Sequence, residues 1–483
     1  MAPSISNIFD GAAATPLFER RGFMLDISRN RVPTMEWLKQ LIDALALLRY
    51  NELQVYTEHT FAYADHSAVW EHASPMTPQE IREIDAYCSD HGIELVPNQN
   101  SFAHLERWLR HPPYKHLAEC PNGFEHPIAG WRTFGGTLAP TEQSAAFIDT
   151  LYAELLPNFT SKVLHIGCDE PWELGQGHSK ERVDREGKHL LYLEFLNRLF
   201  ALVEKHEHRA QFWADIVMER PDLVPQLPKN VTPVIWGYET NSPYAEQCRI
   251  AAEAGFKNNF YVAPGAGNWN SFSGRLDVAR RNIELAAKEG NAHGALGLLL
   301  TAWGDNGHHQ PWPTLFPALI MAAQATWSCP IDTNALPDQI DQLFYPDSPT
   351  RQGAVICELG RIDTMLSQPA PPSSFLHSAF FTDAEKFENT LSKLVTLDEL
   401  QAVNAALQAI QFTGSDPEIG LSLELNRRAI QRCLRAKQGQ PINSSDSAAS
   451  YEALLKQFEQ LWTMRSRTGG RNESLQLMRA MES

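Results

Sequence analysis

Along the first two-thirds of the chain, short unbroken apolar runs alternate with longer stretches in which apolar residues recur every three to four positions. The runs cover residues 22–27, 52–56, 93–97, 163–167, 211–216, 233–236, 260–263 and 297–302. Val, Ile, Leu and Phe dominate them, as in parallel strands covered on both faces. The helical stretches between them include 34–48, 78–89, 143–155, 190–204, 245–254 and 276–288. Thr34 is placed to cap the first, and Pro78 stands at the first helical position of the second. Eight strand–helix alternations predict an α/β fold, a (β/α)8 TIM barrel, in preference to an open doubly wound sheet.

Beyond about residue 330 the strand-like runs stop. Pro346 and the Pro-rich stretch 368–374 punctuate the chain. Residues 395–412, 421–437 and 451–465 then read as helices, separated by 414–417 and by a linker at 441–450. The predicted organisation is an N-terminal segment (1–19), a barrel (20–330) and a C-terminal helical extension (331–483). Arg427, Arg428, Arg432, Arg435 and Lys437 form a basic stretch, read as a solvated helix face or a subunit contact, which leaves a homo-oligomer open.

Of the 483 residues, 43% are hydrophobic and 20% charged, which excludes a disordered or fibrous chain. A formal charge of −17 argues against nucleic acid as a partner. The strongest apolar run, 295–303, is far too short to span a bilayer, and the first 23 residues hold no apolar core of a signal peptide. The expectation is a cytoplasmic protein with no membrane partner. Seven cysteines, an odd number without a C-x-x-C pair, support neither a disulfide framework nor a zinc knuckle. Gly265-Ala266-Gly267 lacks the third glycine of a dinucleotide loop, because Asn270 stands there, and no G-x-S-x-G occurs. No cofactor or metal is expected.

In a barrel, chemistry gathers where strands end. The run ends here carry Asp26 and Arg29; Glu58 and His59; Asn98, Asn100 and His104; Asp169 and Glu170; Trp213 and Asp215; Trp236 and Glu239; Tyr261, followed by a loop with Trp269; and Trp303 and Asp305. Carboxylates bind hydroxyls and indole faces cover apolar C–H surfaces, so the pattern suits an uncharged polyol. Asp169-Glu170 stands out. Side chains alternate along a strand, so two neighbouring carboxylates can serve two different atoms of one ligand, and the small Gly167 and Cys168 would let it approach.

The stretches Arg21-Gly22-Phe23-Met24-Leu25-Asp26-Ile27-Ser28-Arg29 and His165-Ile166-Gly167-Cys168-Asp169-Glu170, with the Trp-bearing strand ends, resemble glycoside hydrolase family 20 over about residues 20–327. That family consists of β-N-acetylhexosaminidases on a (β/α)8 barrel. The resemblance implies substrate-assisted catalysis on terminal β-linked N-acetylated amino-sugar glycosides, with retention through an oxazolinium ion. Glu170 would be the general acid and then the base, and Asp169 would hold the acetamide N–H. The resemblance further implies Arg29 and Asp305 on ring hydroxyls, and Trp213, Trp236, Trp269 and Trp303 as pocket walls. It implies Tyr261 as donor to the acetamide oxygen, and His104 in support of the acid with Glu58 as its carboxylate partner. Two positions depart from the family pattern: Ala263, where an Asp often follows the tyrosine, and Ala302, where an Asp precedes the tryptophan.

Two rival readings stand beside this one. A divalent ion could be held by Asp305 and His308-His309 with His104, although no H-E-x-x-H occurs. Alternatively the chain is a carbohydrate-binding relative with weakened turnover, a reading the two departures keep open.

Overall fold

The computed structural model describes residues 6–128, 130–367, 373–441 and 445–481. Eight strands, Arg20–Asp26, Glu52–Thr57, Glu94–Gln99, Val163–His165, Arg209–Trp213, Thr232–Gly237, Tyr261–Pro264 and Gly297–Ala302, close into a parallel barrel. Closure pairs the first strand with the eighth, Gly22 opposite Leu299. A Cβ at Gly22 would stand 2.7 Å from the Leu299 side chain, so glycine lets the seam close. The helical layer follows local rules: Thr34 accepts the Trp37 N–H, and Thr77 and Glu80 form a capping box with Pro78 in the first turn.

The fourth and fifth strands are shorter than the apolar runs predict. Gly167 and Cys168 take left-handed backbone at φ 67° and 76°, which ends the fourth strand at His165. After Trp213 the chain turns directly into the short helix Asp215–Met218. Both departures lie at the barrel mouth, where the chain leaves the sheet to present side chains.

The barrel interior has two parts. At its base, Glu52 accepts from Tyr261 Oη (2.9 Å) and Arg20 Nε (3.1 Å), while Gln54 bonds Glu52 and Gln211. Above this polar plug, Met24, Tyr56, Trp213, Val234, Tyr261, Ala263, Trp269, Leu299 and Trp303 form a separate apolar cluster, with the Tyr261 ring at its lower end.

After the barrel, the described residues hold helices and no strand. Of the predicted break at 368–374, residues 368–372 lie outside the described residues. The helix predicted at 395–412 is Leu397–Ala409, started by a Thr396–Glu399 capping box. The next begins earlier than predicted, at Pro417, because Asp416 caps it and proline suits the first turn. The last two helices are Ser445–Arg465, which takes up part of the predicted 441–450 linker, and Arg471–Arg479, which hydrophobic periodicity did not suggest. Residues 442–444 of that linker lie outside the described residues.

The basic stretch is not a free face. Arg427 donates to the Leu407 and Ile410 carbonyls at the end of the preceding helix, and Arg432, 8% exposed, donates to the carbonyls of Met481 and Thr382. Arg428 lies 4.2 Å from the Tyr451 ring centroid. Guanidinium groups placed against orphan helix-end carbonyls stabilise those ends. No described helix is long and apolar enough to cross a membrane.

Candidate active site

The site is built on the end of the fourth strand. Gly167, Cys168 and Glu170 all adopt positive φ, an arrangement that costs about 1–3 kcal/mol at each non-glycine position and clusters at functional sites. A Cβ at Gly167 would stand 2.5 Å from the Asn100 side chain, so the glycine makes room for Asn100 and not for a ligand. Cys168 is fully buried with its Sγ on the Ile166 carbonyl. The expectation that these two small residues admit a ligand is therefore corrected.

Asn100 fixes the turn: its Oδ1 accepts the Cys168 N–H at 3.2 Å and its Nδ2 donates to Asp169 Oδ1 at 2.9 Å. His104 Nε2 lies 3.2 Å from Asp169 Oδ2 and 3.7 Å from Glu170 Oε2. Burial disfavours charge on both carboxyls. At Asp169 the charges of His104 and Arg29 and the Asn100 hydrogen bond outweigh it, and the group is held below the usual carboxylate range. At Glu170 burial prevails, helped by Asp169 and Asp305, and the carboxyl is raised. Burial also opposes charge on His104, but Asp169 overcomes it and lifts the imidazole to about 10. Two adjacent carboxyls are thus driven apart, one towards the ionised form and the other towards the protonated form.

These groups face a cavity of about 420 Å³ at the barrel mouth, lined also by Arg29, Trp213, Trp236, Trp269, Trp303 and Asp305. Trp303 packs edge-on to Tyr56 at 4.8 Å, and Trp213 lies 5.8 Å from Trp303. Arg29 is held from three sides, by Asp26 (3.0 Å), Glu58 (3.0 Å) and Asp305 (3.9 Å), with its guanidinium against the Tyr56 and Trp303 rings. An apolar wall with a charged end presents just the two surfaces of a sugar ring, C–H on one side and hydroxyls at the rim.

All the predicted site residues line this cavity except Tyr261. Tyr261 is the first residue of the seventh strand, at the base of the barrel, with its hydroxyl on Glu52. Three residues of strand separate it from the mouth, about 10 Å at 3.3 Å per residue. The tyrosine in the cavity is Tyr238, just beyond the sixth strand, stacked on Trp236 at 5.0 Å and edge-on to Trp269 at 5.0 Å. Its oxygen accepts the Trp303 indole N–H at 2.9 Å, and its hydroxyl also bonds the Thr301 side chain. Tyr238 was legible as a strand-end aromatic, and of the two tyrosines it is the one that lines the cavity.

Glu58 also differs from the expectation. It accepts from Tyr56 Oη (2.9 Å) and pairs with Arg29, whereas the carboxylate beside His104 is Asp169 itself. Ala302 belongs to the outer, helix-facing core and not to the cluster that contains Trp303, so its departure from the family pattern does not reach the pocket wall. Ala263 does lie in the inner cluster, but beneath the mouth and beside a tyrosine that is not in the site. Asp215 went unassigned: its Oδ2 accepts the Glu170 N–H at 3.2 Å, and burial with the nearby Asp169 and Glu170 raises its carboxyl well above the usual range.

The rival ion-binding set is not assembled. His309 is buried with Nε2 on the Ser474 carbonyl, and neither it nor His308 lines the cavity that holds His104 and Asp305. The donor atoms of His104, Asp169 and Glu170 do lie within 4.8 Å of one another.

A model of the glycosyl hydrolase family 20 catalytic domain matches residues 18–329. Among curated proteins, human hexosaminidase D is 25% identical over 237 residues, 47% of this chain and 46% of that protein. The cat β-hexosaminidase subunit β is 26% identical over 260 residues, 50% of this chain and 46% of that one. The chain thus spans about half the length of the curated relatives it matches. Among solved structures, a β-N-acetylhexosaminidase from Bacteroides fragilis aligns with TM-score 0.53 at 20% identity, covering 68% of this chain and 71% of that one. A Flavobacterium johnsoniae chitobiase aligns with TM-score 0.52 at 17% identity, covering 96% of this chain and 78% of that one. At such identities the likeness is one of fold.

Proposed function

Because the chain belongs to glycosyl hydrolase family 20, we propose that it is an exo-acting, retaining β-N-acetylhexosaminidase that removes terminal β-linked N-acetylglucosamine or N-acetylgalactosamine with the substrate's acetamide as nucleophile. The observation that carries the reading is the pair Asp169-Glu170, neighbours in sequence whose carboxyls are pushed in opposite directions within one Trp-walled cavity.

In the proposed reaction the acetamide oxygen forms a bond to C1 while the C1–O bond to the leaving group breaks. Glu170 gives its proton to the departing oxygen. Asp169 accepts the acetamide N–H and stabilises the positive charge that spreads over the oxazolinium ring. Tyr238 donates to the acetamide oxygen and holds it on line. Water then attacks C1 from the face the leaving group vacated, giving its proton to Glu170 and restoring the acetamide. An internal nucleophile held in line gains an effective molarity on the order of 10⁵ M or more, and general acid help adds about 10²–10⁴-fold. Arg29 and Asp305 bind hydroxyls at the far end of the ring. His104 keeps Asp169 ionised, and Asp215 anchors the Glu170 backbone.

The second reading is a carbohydrate-binding relative of weak turnover. Aryl β-N-acetylglucosaminide and β-N-acetylgalactosaminide offered side by side separate the two. Aglycone release supports the enzyme; binding of the free sugars without release supports the binding protein.

A further inference from the structure

The loop after the first strand carries Arg29, and the loop after the eighth carries Asp305. Both are tied to the barrel through Asp26, whose carboxylate accepts the Arg29 N–H (3.1 Å) and the Gly304 N–H (2.9 Å), and both are gripped a second time by the helical region behind them. Arg31, two residues beyond Arg29 and 3% exposed, donates Nε to Ser466 Oγ at 3.0 Å, Nη1 to the Gln310 carbonyl at 2.8 Å and Nη2 to Glu418 Oε1 at 3.2 Å. Backbone bonds continue the grip, from Arg467 N–H to the Val32 carbonyl (2.8 Å) and from Thr34 N–H to the Arg465 carbonyl (3.0 Å). Asn30 sits in left-handed backbone against Gly470, where a Cβ would stand 2.0 Å from the Asn30 carbonyl oxygen.

One hydroxyl joins the two loops. Ser474 Oγ, fully buried, accepts from Asn30 Nδ2 at 3.0 Å and donates to the Gly307 carbonyl at 2.6 Å. The Ser474 carbonyl in turn lies 2.9 Å from His309 Nε2. Asn30 adjoins Arg29, and Gly307 is two residues from Asp305. The two loops whose side chains approach at 3.9 Å, Arg29 and Asp305, are therefore bridged from behind by a residue of the last helix as well as by Asp26 in front.

We propose that the helical region after the barrel is a working part of the sugar site: through Ser474, Asn30 and Arg31 it positions Arg29 and Asp305 against the outer hydroxyls of the ring. The inference rests on the hexosaminidase reading for what those two side chains bind, but not for the coupling itself. Ser474, Asn30 and Arg31 are positioning residues that touch no substrate. Loss of the clamp weakens contacts made equally in ground and transition states, so KM rises while kcat changes little.

The test uses the full chain with Ser474→Ala, which removes the bridging oxygen at nearly constant volume, and Asn30→Gly, which removes the donor while tolerating the left-handed backbone. Hydrogen exchange is read on peptides covering residues 27–33 and 303–309, alongside KM, kcat and the gluco/galacto ratio of kcat/KM. The expected result is faster exchange in both peptides, a KM increase of about 5–10-fold with kcat within about threefold, and a shifted epimer ratio. Unchanged exchange, or loosening confined to one loop, overturns the clamp. Loosening of both loops with KM and epimer ratio unchanged overturns its role in sugar binding. An inert wild type refutes the hexosaminidase reading alone, and the exchange data then decide the coupling. Should Ser474→Ala fail to fold, Asn30→Gly carries the same measurements.

Discussion

Replacing Asp169 by asparagine removes one charge and leaves the local shape intact. The amide oxygen can still accept from Asn100 Nδ2, which lies 2.9 Å from the present Oδ1. The amide nitrogen would face His104 Nε2, now 3.2 Å from Oδ2. Without the carboxylate, burial drives His104 back to neutral, since Asp169 is what lifts it to about 10. The pair carries no net charge before or after, so Glu170 keeps a raised pKa. What disappears, on the proposed mechanism, is full negative charge beside the developing oxazolinium, carried by a carboxylate that is itself buried. Losing one preorganised partner of a transition-state charge lowers kcat by about 10²–10³, or about 3–4 kcal/mol. The pH profile supplies a second signature. In the proposed mechanism, wild-type turnover requires Asp169 ionised and Glu170 protonated. Asp169 is depressed below 3.8, so the acid limb lies below that value; Glu170 is raised above 4.5, so activity falls as pH climbs through the higher value. In Asp169→Asn the acid limb vanishes and the alkaline limb stays. The assay is kcat and kcat/KM on an aryl β-N-acetylglucosaminide across pH, with affinity for an oxazoline-mimicking thiazoline measured in parallel. A loss below about threefold, equivalent to less than about 1 kcal/mol, with thiazoline affinity unchanged, would refute the assigned role.

Glu170→Gln should cut turnover severely on alkyl glycosides and much less on activated aryl ones, because acid help matters most for a basic leaving oxygen; equal losses in a leaving-group series would count against it. Tyr238→Phe should lower kcat by up to about 10²–10³-fold through loss of one donor to the acetamide. Tyr261→Phe should leave kinetics near wild type and reduce the melting temperature, as expected for a hydroxyl in the basal plug; the reverse pattern would restore Tyr261 to the site. With Arg29 and Asp305 the charged groups at the hydroxyl rim, both epimers should be accepted, and a kcat/KM ratio above about 10³, roughly 4 kcal/mol, would reject a permissive pocket.

The barrel was legible because buried parallel strands must be apolar on both faces, and eight such runs leave few other architectures. The Asp169-Glu170 pair was legible because strand ends gather chemistry. Less could be read where backbone geometry intervenes. Nothing in the apolar run 163–167 shows that Gly167 yields its space to Asn100, or that Cys168 turns inward. Tyr261 and Tyr238 are both aromatics near a strand, and only register tells that one begins its strand and the other follows its own. Glu58 and Asp169 are both carboxylates within the reach of a cation, and which one meets His104 depends on a few ångströms of loop. The Ser474 bridge joins positions more than 440 residues apart to the barrel mouth, a separation that periodicity cannot register.

The most direct test of the central claim is NMR of the first sugar released from an aryl β-N-acetylglucosaminide, with the matching aryl β-glucoside run beside it. Substrate assistance predicts the β-anomer first, followed by slow mutarotation, and a nearly inert glucoside that lacks the nucleophile. An initial α-anomer, or a glucoside cleaved at a comparable rate, would contradict it.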